Sequence, residues 1–267
     1  MPESISPFPE TGGAVMSDEV AITQRTAGLR SALDHSDLQA SPARPCPYLA
    51  GRTARDVVFR ARALPPGVYR SLMDLNFRRS GDLIYRPACE ACDQCRAIRL
   101  PVAAFRPDRS QRRCLAGNAD LEVEVDEPRP TPEKHRLYVE YLAARHDGQM
   151  DASWEGFRGF LYRSPIETAE VVFRDAGRLV GVGLLDLDDN AISTVYFYFD
   201  PRRAARSPGT FNILWTVELA RRLGVEYVYL GYDVRDCPKM HYKTRFRPCE
   251  ILDPDFTWRR IEPHDGQ

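Results

Sequence analysis

A basic, aromatic segment in the last fifth of the chain carries the residue types best suited to binding a phosphorylated ligand. Within residues 229–247, five cations fall inside thirteen positions, and aromatic side chains lie among them. Cations bind phosphate oxygens, whereas aromatic rings stack on a base or a ribose. The alternative interpretation is a solvated basic loop that follows a core strand. The cations are Arg235, Lys239, Lys243, Arg245 and Arg247, and the aromatic residues are Tyr232, Tyr242 and Phe246.

A second group of cations precedes a predicted helix. An apolar helical pattern begins at Phe211, and just before it lie three arginines, Arg202, Arg203 and Arg206, followed by Gly209. The free N–H groups and the positive dipole end of a helix attract a phosphate. This pattern therefore predicts an anion site at the helix start. An ordinary helix start beside solvated arginines is the alternative.

The cysteine spacing is typical of a metal site. Cys89, Cys92 and Cys95 follow one another at intervals of three, and Cys46 is the natural fourth ligand. Such a set suits zinc or an iron–sulfur cluster. Seven cysteines, an odd number, argue against a disulfide framework. The alternative is a redox-sensitive thiol cluster, in which Arg86, Arg96 and Arg99 lower the thiol pKa values.

The elements that must position these residues follow from hydrophobic periodicity and turn signals. Two helices, an antiparallel three-strand meander, a further helix and a last buried strand occur in the order of an acetyltransferase-like α+β fold. We therefore predict a mixed α/β C-terminal domain of this type, with a smaller cysteine-containing N-terminal domain packed on it. Helices are predicted at 69–77, 133–144, 154–162 and 211–223, and strands at 83–86, 97–102, 121–125, 169–174, 179–187, 191–199 and 227–231.

Composition divides the chain into four predicted parts. Residues 1–43 are rich in Ser, Pro and Gly and are expected to be disordered, with Met16 as an alternative start. The N-terminal domain spans 44–128, the C-terminal domain spans 129–252, and 253–267 form a tail. No apolar run reaches the ~20 residues that cross a bilayer, and we see no secretory signal. We therefore expect a cytoplasmic protein without a membrane partner.

Charge is distributed unevenly along the chain. Residues 44–113 contain fifteen arginines and six acids, whereas residues 119–194 contain sixteen acids and eight basic residues. A basic block joined to an acidic block indicates that one face of the protein meets a polyanion.

Separate motifs in a fixed order, from about residue 45 to residue 252, resemble one known family. In the N-terminal half they read PCPYLAGR (45–52), FRRSG (77–81), YRPACEACDQC (85–95) and FRPDRSQRR (105–113). In the C-terminal half they read SPGT (207–210), YLGY (229–232), CPKMHYK (237–243) and FRPCE (246–250). On these motifs the chain resembles the aminoacyl-tRNA–protein transferases. Pro208 stands where this family commonly has leucine. Proline is tolerated early in a helix, so this difference is compatible with the resemblance.

The resemblance implies a reaction and its substrates. The compact cysteine triplet is similar to the bacterial branch, which transfers leucine from leucyl-tRNA to proteins that begin with Asp or Glu. The product is a signal for N-end rule degradation. The related branch transfers arginine from arginyl-tRNA, and the resemblance identifies the aminoacyl group less firmly than the reaction. No cofactor is required for the chemistry, because the tRNA ester is already activated.

The implied reaction assigns roles to the candidate residues. Tyr232 is the candidate for proton or oxyanion contact. Arginine binds a carboxylate in a bidentate way, so cations near the motifs are candidates for holding the acceptor's Asp or Glu. Those candidates are Arg78, Lys239, Lys243 and Arg245, with Arg79 also considered. The candidates for binding aminoacyl-tRNA are Arg109, Arg112, Arg113, Arg202, Arg203, Arg206 and Gly209.

Two other classes compete with this interpretation. An acetyl-CoA-dependent N-acetyltransferase would explain the fold but not the basic block or the cysteines. A nucleic-acid-binding regulator, with a metal-bound cysteine loop as its binding element, would explain the basic block but not the C-terminal half. We therefore expect tRNA and protein partners, and no DNA partner.

Overall fold

An eight-stranded sheet runs through both halves of the chain. The computed structural model describes residues 38–145 and 150–262. The strands are β1 (Gln39–Ala40), β2 (Arg44–Pro45), β3 (Thr53–Ala54), β4 (Asp56–Arg60), β5 (Arg78–Ser80), β6 (Leu83–Pro87), β7 (Arg96–Pro101), β8 (Glu122–Asp126), β9 (Thr168–Asp175), β10 (Arg178–Asp188), β11 (Ala191–Phe199), β12 (Tyr227–Asp233), β13 (Cys249–Leu252) and β14 (Trp258–Ile261). The α-helices are α1 (Val68–Asp74), α2 (Arg109–Ala116), α3 (Pro132–Arg145), α4 (Trp154–Phe157), α5 (Pro208–Arg222) and α6 (Pro238–His241).

Strand order explains how the two halves share one sheet. The large sheet has the order β14–β13–β7–β12–β11–β10–β9–β8, and β8 to β11 form an antiparallel meander. Helix α5 crosses over so that β12 lies parallel to β11. Strand β7, from the basic block, then pairs antiparallel with β12. Strands β1, β4, β6 and β5 form a separate four-stranded sheet, and β2 pairs with β3.

Helices cover both faces of the large sheet. Residues of α2 and α5 pack with one hydrophobic cluster, which includes Val180 and Leu185 of β10. Residues of α3 and α4 pack with a second cluster, which includes Val182 and Leu184 of the same strand. Because β10 is covered on both faces, its sequence is apolar almost throughout, as expected of a central strand.

Buried polar contacts join the N-terminal block to the meander. Arg79 of β5 donates from Nε and Nη2 to both carboxylate oxygens of Asp186 on β10, at 2.6 and 2.7 Å. Both side chains are fully buried. The neighbouring acid Asp188 accepts from the backbone N–H groups of Gly67 and Arg70 at 2.6 and 2.7 Å. The start of α1 is thus capped by a carboxylate from the other half of the chain.

The predicted mixed α/β class and the predicted elements agree with the structure. Each predicted helix and strand overlaps an observed one, although 154–162 is α-helical only to Phe157 and continues as a π-helical turn. The sequence analysis missed strands β1 to β5, β13 and β14 and helices α2 and α6. Helix α2 carried a readable signal, since Asp108 and Gln111 form a capping box.

Two predicted boundaries differ from the structure. Residues 39–40, placed in the disordered extension, form β1 and pair with Val57 and Val58. Trp258–Ile261, placed in the tail, form β14 and pair with β13. The rest of the predicted extension, residues 1–37 with Met16, lies outside the described residues. Within the described ranges, no helix is long and apolar enough to cross a membrane.

The buried ion pair between the halves yields a stability prediction. Asp186→Ala should lower the free energy of unfolding by about 3–5 kcal/mol, because it leaves Arg79 charged, buried and unpaired. Glu155→Ala, which removes an exposed pair with Arg158, should change it by less than about 1 kcal/mol. Urea unfolding followed by circular dichroism measures both. The double variant Arg79→Met/Asp186→Leu should recover much of the loss, and its failure to do so would contradict the explanation.

Candidate active site

The pairing of β11 with β12 stops at the centre of the large sheet. The register runs from Ala191↔Tyr227 to Ser193↔Tyr229 and then ends. On its other side, β12 shifts register against β7 between Tyr229 and Tyr232. The interruption includes Gly231, whose φ of 81° favours glycine. A short stretch of β12 main chain therefore lies outside both ladders, and we take this stretch as the centre of the candidate site.

Two buried cations bind the main-chain carbonyls at this interruption. Arg78 donates from Nη2 to the Gly231 carbonyl at 3.1 Å and from Nη1 to the Phe77 carbonyl at 2.6 Å. Lys243 donates from Nζ to the Tyr232 carbonyl at 2.7 Å. Burial, and then the charge of Arg78, lower the pKa of Lys243 to about 7. Arg78 and Lys243 thus supply side-chain hydrogen bonds to β12 where its regular pairing with neighbouring strands is interrupted.

The four predicted acceptor cations separate into two pairs. Arg78 and Lys243 come together, and their donors are directed at backbone carbonyls rather than at open solvent. Lys239 lies exposed on α6, and Arg245 lies exposed in the following 3-10 turn. Direct binding of an acceptor carboxylate by any of them stays a prediction. For the buried pair, the structure shows a role in positioning β12.

Tyr232 is fixed at the same place by its hydroxyl group. The hydroxyl donates to the Asn76 carbonyl at 2.9 Å, and the Arg78 guanidinium lies 5.4 Å from the ring centroid. Burial raises the pKa of Tyr232 well above its ordinary value. Its only proton is therefore engaged with Asn76, and its role in proton or oxyanion contact stays a prediction.

Asn76 is a connecting residue that the sequence analysis missed. Its Nδ2 donates to the Cys95 carbonyl at 2.9 Å, and its Oδ1 accepts from the Ala97 N–H at 2.8 Å. Its φ is 68°, in the left-handed region that asparagine tolerates better than most residues. Asn76 lies inside the predicted helix 69–77, whereas the observed helix ends at Asp74, and the preference of asparagine for helix ends was the available signal. Asn76 links the cysteine loop to Tyr232.

The predicted metal ligands lie near one another on one cavity wall. Cys46, Cys89, Cys92 and Cys95 all line one large cavity of the described chain. Within residues 38–145 and 150–262, however, no three His, Cys, Asp or Glu side chains are arranged so that they could hold a metal ion. The thiols as placed do not fit zinc or a cluster, so the metal stays a prediction and no step below depends on it.

The thiol pKa direction contradicts the redox-sensor alternative at Cys95. Burial, and then the neighbouring thiols, raise the pKa of Cys95 to about 12. The arginines expected to lower it are engaged elsewhere. Arg99 pairs with Asp74 and Glu250, and Arg96 pairs with Asp93. A raised pKa keeps this thiol protonated and weakly nucleophilic.

The two groups of predicted tRNA-binding residues come together beside the start of α5. The Asn118 side chain, just after α2, donates to the Arg206 carbonyl at 2.9 Å. Arg206 in turn donates to the Gly117 carbonyl and pairs with Asp120. Helix α2 therefore lies against the segment that leads into α5. It exposes Arg109, Arg112 and Arg113 on the surface.

The arginines that precede α5 are largely neutralised. Arg202 pairs with Asp200, and Arg203 pairs with Asp175. Helix α5 itself begins without a side-chain cap, and a Cβ added at Gly209 would meet nothing within 4 Å. The start of α5 thus remains open to an anion. The cations best available to a phosphate lie on α2 rather than before α5.

Two family models and named relatives match most of the chain. The family model described as arginine-tRNA-protein transferase, N terminus, matches residues 44–113, and the corresponding C-terminus model matches residues 133–253. A protein of Stenotrophomonas maltophilia (strain K279a), named aspartate/glutamate leucyltransferase, is 44% identical over 218 residues, covering 78% of this chain and 87% of that protein. A protein of the same name from Marinobacter nauticus is 41% identical over 225 residues, covering 83% and 94%.

Solved structures resemble the chain only at low scores. FemX is 10% identical with a TM-score of 0.42, covering 84% of this chain and 86% of that one. A GCN5-related N-acetyltransferase from Anabaena variabilis is 11% identical with a TM-score of 0.35, covering 91% and 50%. We draw no conclusion about the reaction from them.

The matches to both halves of the chain define an enzyme of the aminoacyltransferase class. The chain belongs to the arginine-tRNA-protein transferase family, within which the relatives named aspartate/glutamate leucyltransferase are similar to it over most of their length.

The lowered pKa of Lys243 predicts a pH-dependent stability difference. In the folded protein this pKa is about 7, against an ordinary value of 10.5. Between these values the folded state binds fewer protons than the unfolded state, so this residue makes stability rise with pH. Lys243→Met removes that rise. The unfolding free energy of the variant minus that of the wild type should therefore fall steadily from pH 7 to pH 10.

Urea unfolding at pH 6, 8 and 10 measures this difference. Loss of the hydrogen bond from Lys243 to the Tyr232 carbonyl changes this free-energy difference by the same amount at every pH. The test is therefore the slope of the difference against pH. Arg245→Met, in the same turn but exposed, is the control and should give a much flatter difference. Equal slopes for the two variants would contradict the burial of a titrating amine.

Proposed function

We propose that the protein transfers leucine from leucyl-tRNA to the α-amino group of proteins that begin with Asp or Glu. The product would carry an N-terminal signal for N-end rule degradation. The observation that carries the proposal is the identity of 41–44% to relatives named aspartate/glutamate leucyltransferase, over 87–94% of their length. The reaction would take place in the cytoplasm, where charged tRNA and new proteins meet.

The proposed chemistry needs little activation by the enzyme. The α-amine attacks the carbonyl carbon of the aminoacyl ester, a C–N bond forms, and the C–O bond to the tRNA ribose breaks. The amine loses its proton and the ribose oxygen gains one. Because the ester is already activated, no ATP is consumed. A free α-amine has a pKa of about 8, so a sizeable fraction is neutral near pH 7.5. Positioning of the two substrates is then the main task.

The interrupted segment of β12 is the place we assign to this reaction. Arg78 and Lys243 place positive charge directly behind the Gly231 and Tyr232 carbonyls. Positive charge held in a site that excludes water stabilises the oxyanion formed when the amine attacks. The lowered pKa of Lys243 also leaves part of its population uncharged near neutral pH, which reduces repulsion of an incoming amine. These residues thus act by electrostatics and positioning.

Helix α2 is the surface we assign to the tRNA backbone. Arg109 and Arg113 are exposed and have no ion-pair or hydrogen-bond partner for their guanidinium groups among the described residues. Binding of phosphates by free cations releases counterions and is therefore weakened by salt. The open start of α5 beside them suits the phosphates near the tRNA 3′ end.

The assignment of α2 predicts a change in salt dependence. The double variant Arg109→Ala/Arg113→Ala should bind leucyl-tRNA more weakly and make the slope of log affinity against log salt shallower by about 2. Arg158→Ala/Arg163→Ala removes two exposed charges on the opposite face of the sheet and is the matched control. Filter binding from 50 to 300 mM salt measures both. Equal slopes for the two variants would place the tRNA elsewhere.

The reaction itself is tested by transfer to defined peptides. Labelled leucyl-tRNA and arginyl-tRNA are offered separately with a peptide that begins with Asp and with the same peptide beginning with Ala. We expect leucine on the Asp peptide only. Arginine on the Asp peptide would keep the mechanism and change the transferred group to the one for which the arginine-tRNA-protein transferase family is named.

Absence of transfer from either tRNA would overturn the proposal. The protein is used with the metal content it has when purified without chelators. Acetylation of the same peptides by acetyl-CoA, in the absence of RNA, would then favour the N-acetyltransferase alternative.

A further inference from the structure

A large cavity of the described chain adjoins the candidate active site. Its volume is about 790 Å³, and it lies between the hairpin of β2 and β3, the four-stranded sheet and the end of β12. This volume is in the range of small-molecule and cofactor sites. Tyr232 and Asn76, which meet at the interrupted segment of β12, both line it. A ligand in this cavity therefore lies next to the place assigned to the reaction.

Most of the charged side chains that line the cavity already have partners. Arg44 pairs with Asp56, and Arg96 pairs with Asp93. Arg86 stacks on the Phe77 ring at 4.8 Å from the centroid. These contacts tie their charges to the wall of the cavity.

Arg52 differs from these arginines. Among residues 38–145 and 150–262, its guanidinium has no ion pair and no hydrogen bond, although it lines the cavity. Its backbone is held in place, because its carbonyl accepts from the Cys46 N–H at 2.8 Å and its own N–H donates to Leu49. Gly51, with a φ of 73°, makes the turn that presents it. A planar guanidinium held on an anchored backbone suits a bidentate carboxylate.

We propose that this cavity binds the acidic first residue of the acceptor protein, and that Arg52 is the partner of its side-chain carboxylate. The inference rests on the proposed function and adds the site of acceptor recognition. It moves that site away from Arg78 and Lys243, whose donors already bind backbone carbonyls. With the acidic side chain on Arg52, the α-amine of the same residue is directed toward Tyr232 and β12.

The polar and apolar composition of the wall fits a peptide. Tyr85 and Tyr48 line the cavity together with Leu49. Their rings and methyl groups suit the carbon atoms of a peptide, whereas one free guanidinium suits one carboxylate. A phosphate backbone would call for several free cations. We therefore assign this cavity to the peptide, and an effect on tRNA binding is an outcome of the test.

The test compares Arg52→Ala with Arg55→Ala. Both arginines are exposed and lie in the same short segment, but Arg55 does not line the cavity. Fluorescence anisotropy measures binding of labelled peptides that begin with Asp or with Asn, and transfer assays give KM and kcat for each. Arg52→Ala should weaken binding of the Asp peptide about 10-fold or more and leave the Asn peptide unchanged. Arg55→Ala should change neither.

A third variant separates charge from geometry. Arg52→Lys keeps the positive charge but loses the planar fork, so its affinity for the Asp peptide should fall between wild type and Arg52→Ala. In all variants the KM for leucyl-tRNA should stay at the wild-type value, and circular dichroism checks the fold.

Two results would overturn the inference. One is an equal effect of Arg52→Ala and Arg55→Ala on the Asp peptide. The other is a raised KM for leucyl-tRNA in Arg52→Ala with unchanged peptide binding, which would assign the cavity to the tRNA. Peptide binding is measured without tRNA. Arg52-dependent binding of the Asp peptide by a protein that transfers neither amino acid would therefore contradict the proposed function alone.

Discussion

The structure of the candidate site depends on the interruption of β12 at Gly231. A central strand normally satisfies its main-chain groups through both neighbours. Here β11 diverges and β7 shifts register, so two consecutive carbonyls need other donors. Arg78 supplies one from the N-terminal half of the chain, and Lys243 supplies the other from the C-terminal half. The consequence is a buried concentration of positive charge at the centre of the sheet, and its burial accounts for the low pKa of Lys243.

Because Arg78 comes from the N-terminal block, the site cannot exist without contacts between the two halves. Apolar clusters and buried polar contacts both join the halves, and the polar contacts lie beside Arg78. Arg79, the next residue, pairs with Asp186, and Asp188 caps α1. Strand β7 then inserts beside β12, so the basic block contributes a strand to the sheet of the acidic half. The complementary charges of the two blocks thus serve partly to hold the halves together, rather than only to meet a polyanion.

Long periodic segments could be predicted from the sequence because their burial pattern is encoded locally. The meander and α5 are of this kind. Strands β5 and β13 could not, because they are short and carry an arginine or a glutamate whose partner lies far away in the chain. Three of the predicted site residues, Arg78, Tyr232 and Lys243, do lie together. Their roles stay predictions, because burial, which the sequence does not show, decides whether a cation faces substrate or backbone.

The cysteine loop is another place where neighbours in sequence did not predict the electrostatic environment of a side chain. Nearby arginines in sequence suggested lowered thiol pKa values, yet the structure places those arginines on acids and aromatic rings and places Cys95 among other thiols. Sequence proximity of charges is therefore a poor guide where each charge has a closer partner in space.

The same reasoning applies to the arginine-rich block as a whole. The net positive charge of this seventy-residue block suggests a broad surface that binds nucleic acid. Many arginines of the block, however, form ion pairs with acids of the same protein. Arg70 contacts Glu226, Arg79 contacts Asp186, and Arg99 contacts Asp74 and Glu250. Free arginines remain on α2 and at Arg52 in the cavity, and the exposed Arg55 and Arg62 also have no side-chain partner among the described residues. Only α2 and the cavity lie beside the elements assigned to the substrates. An enzyme that binds one polyanion and one short acidic peptide can use free cations at two separate places, since each substrate then meets charge that the other cannot occupy.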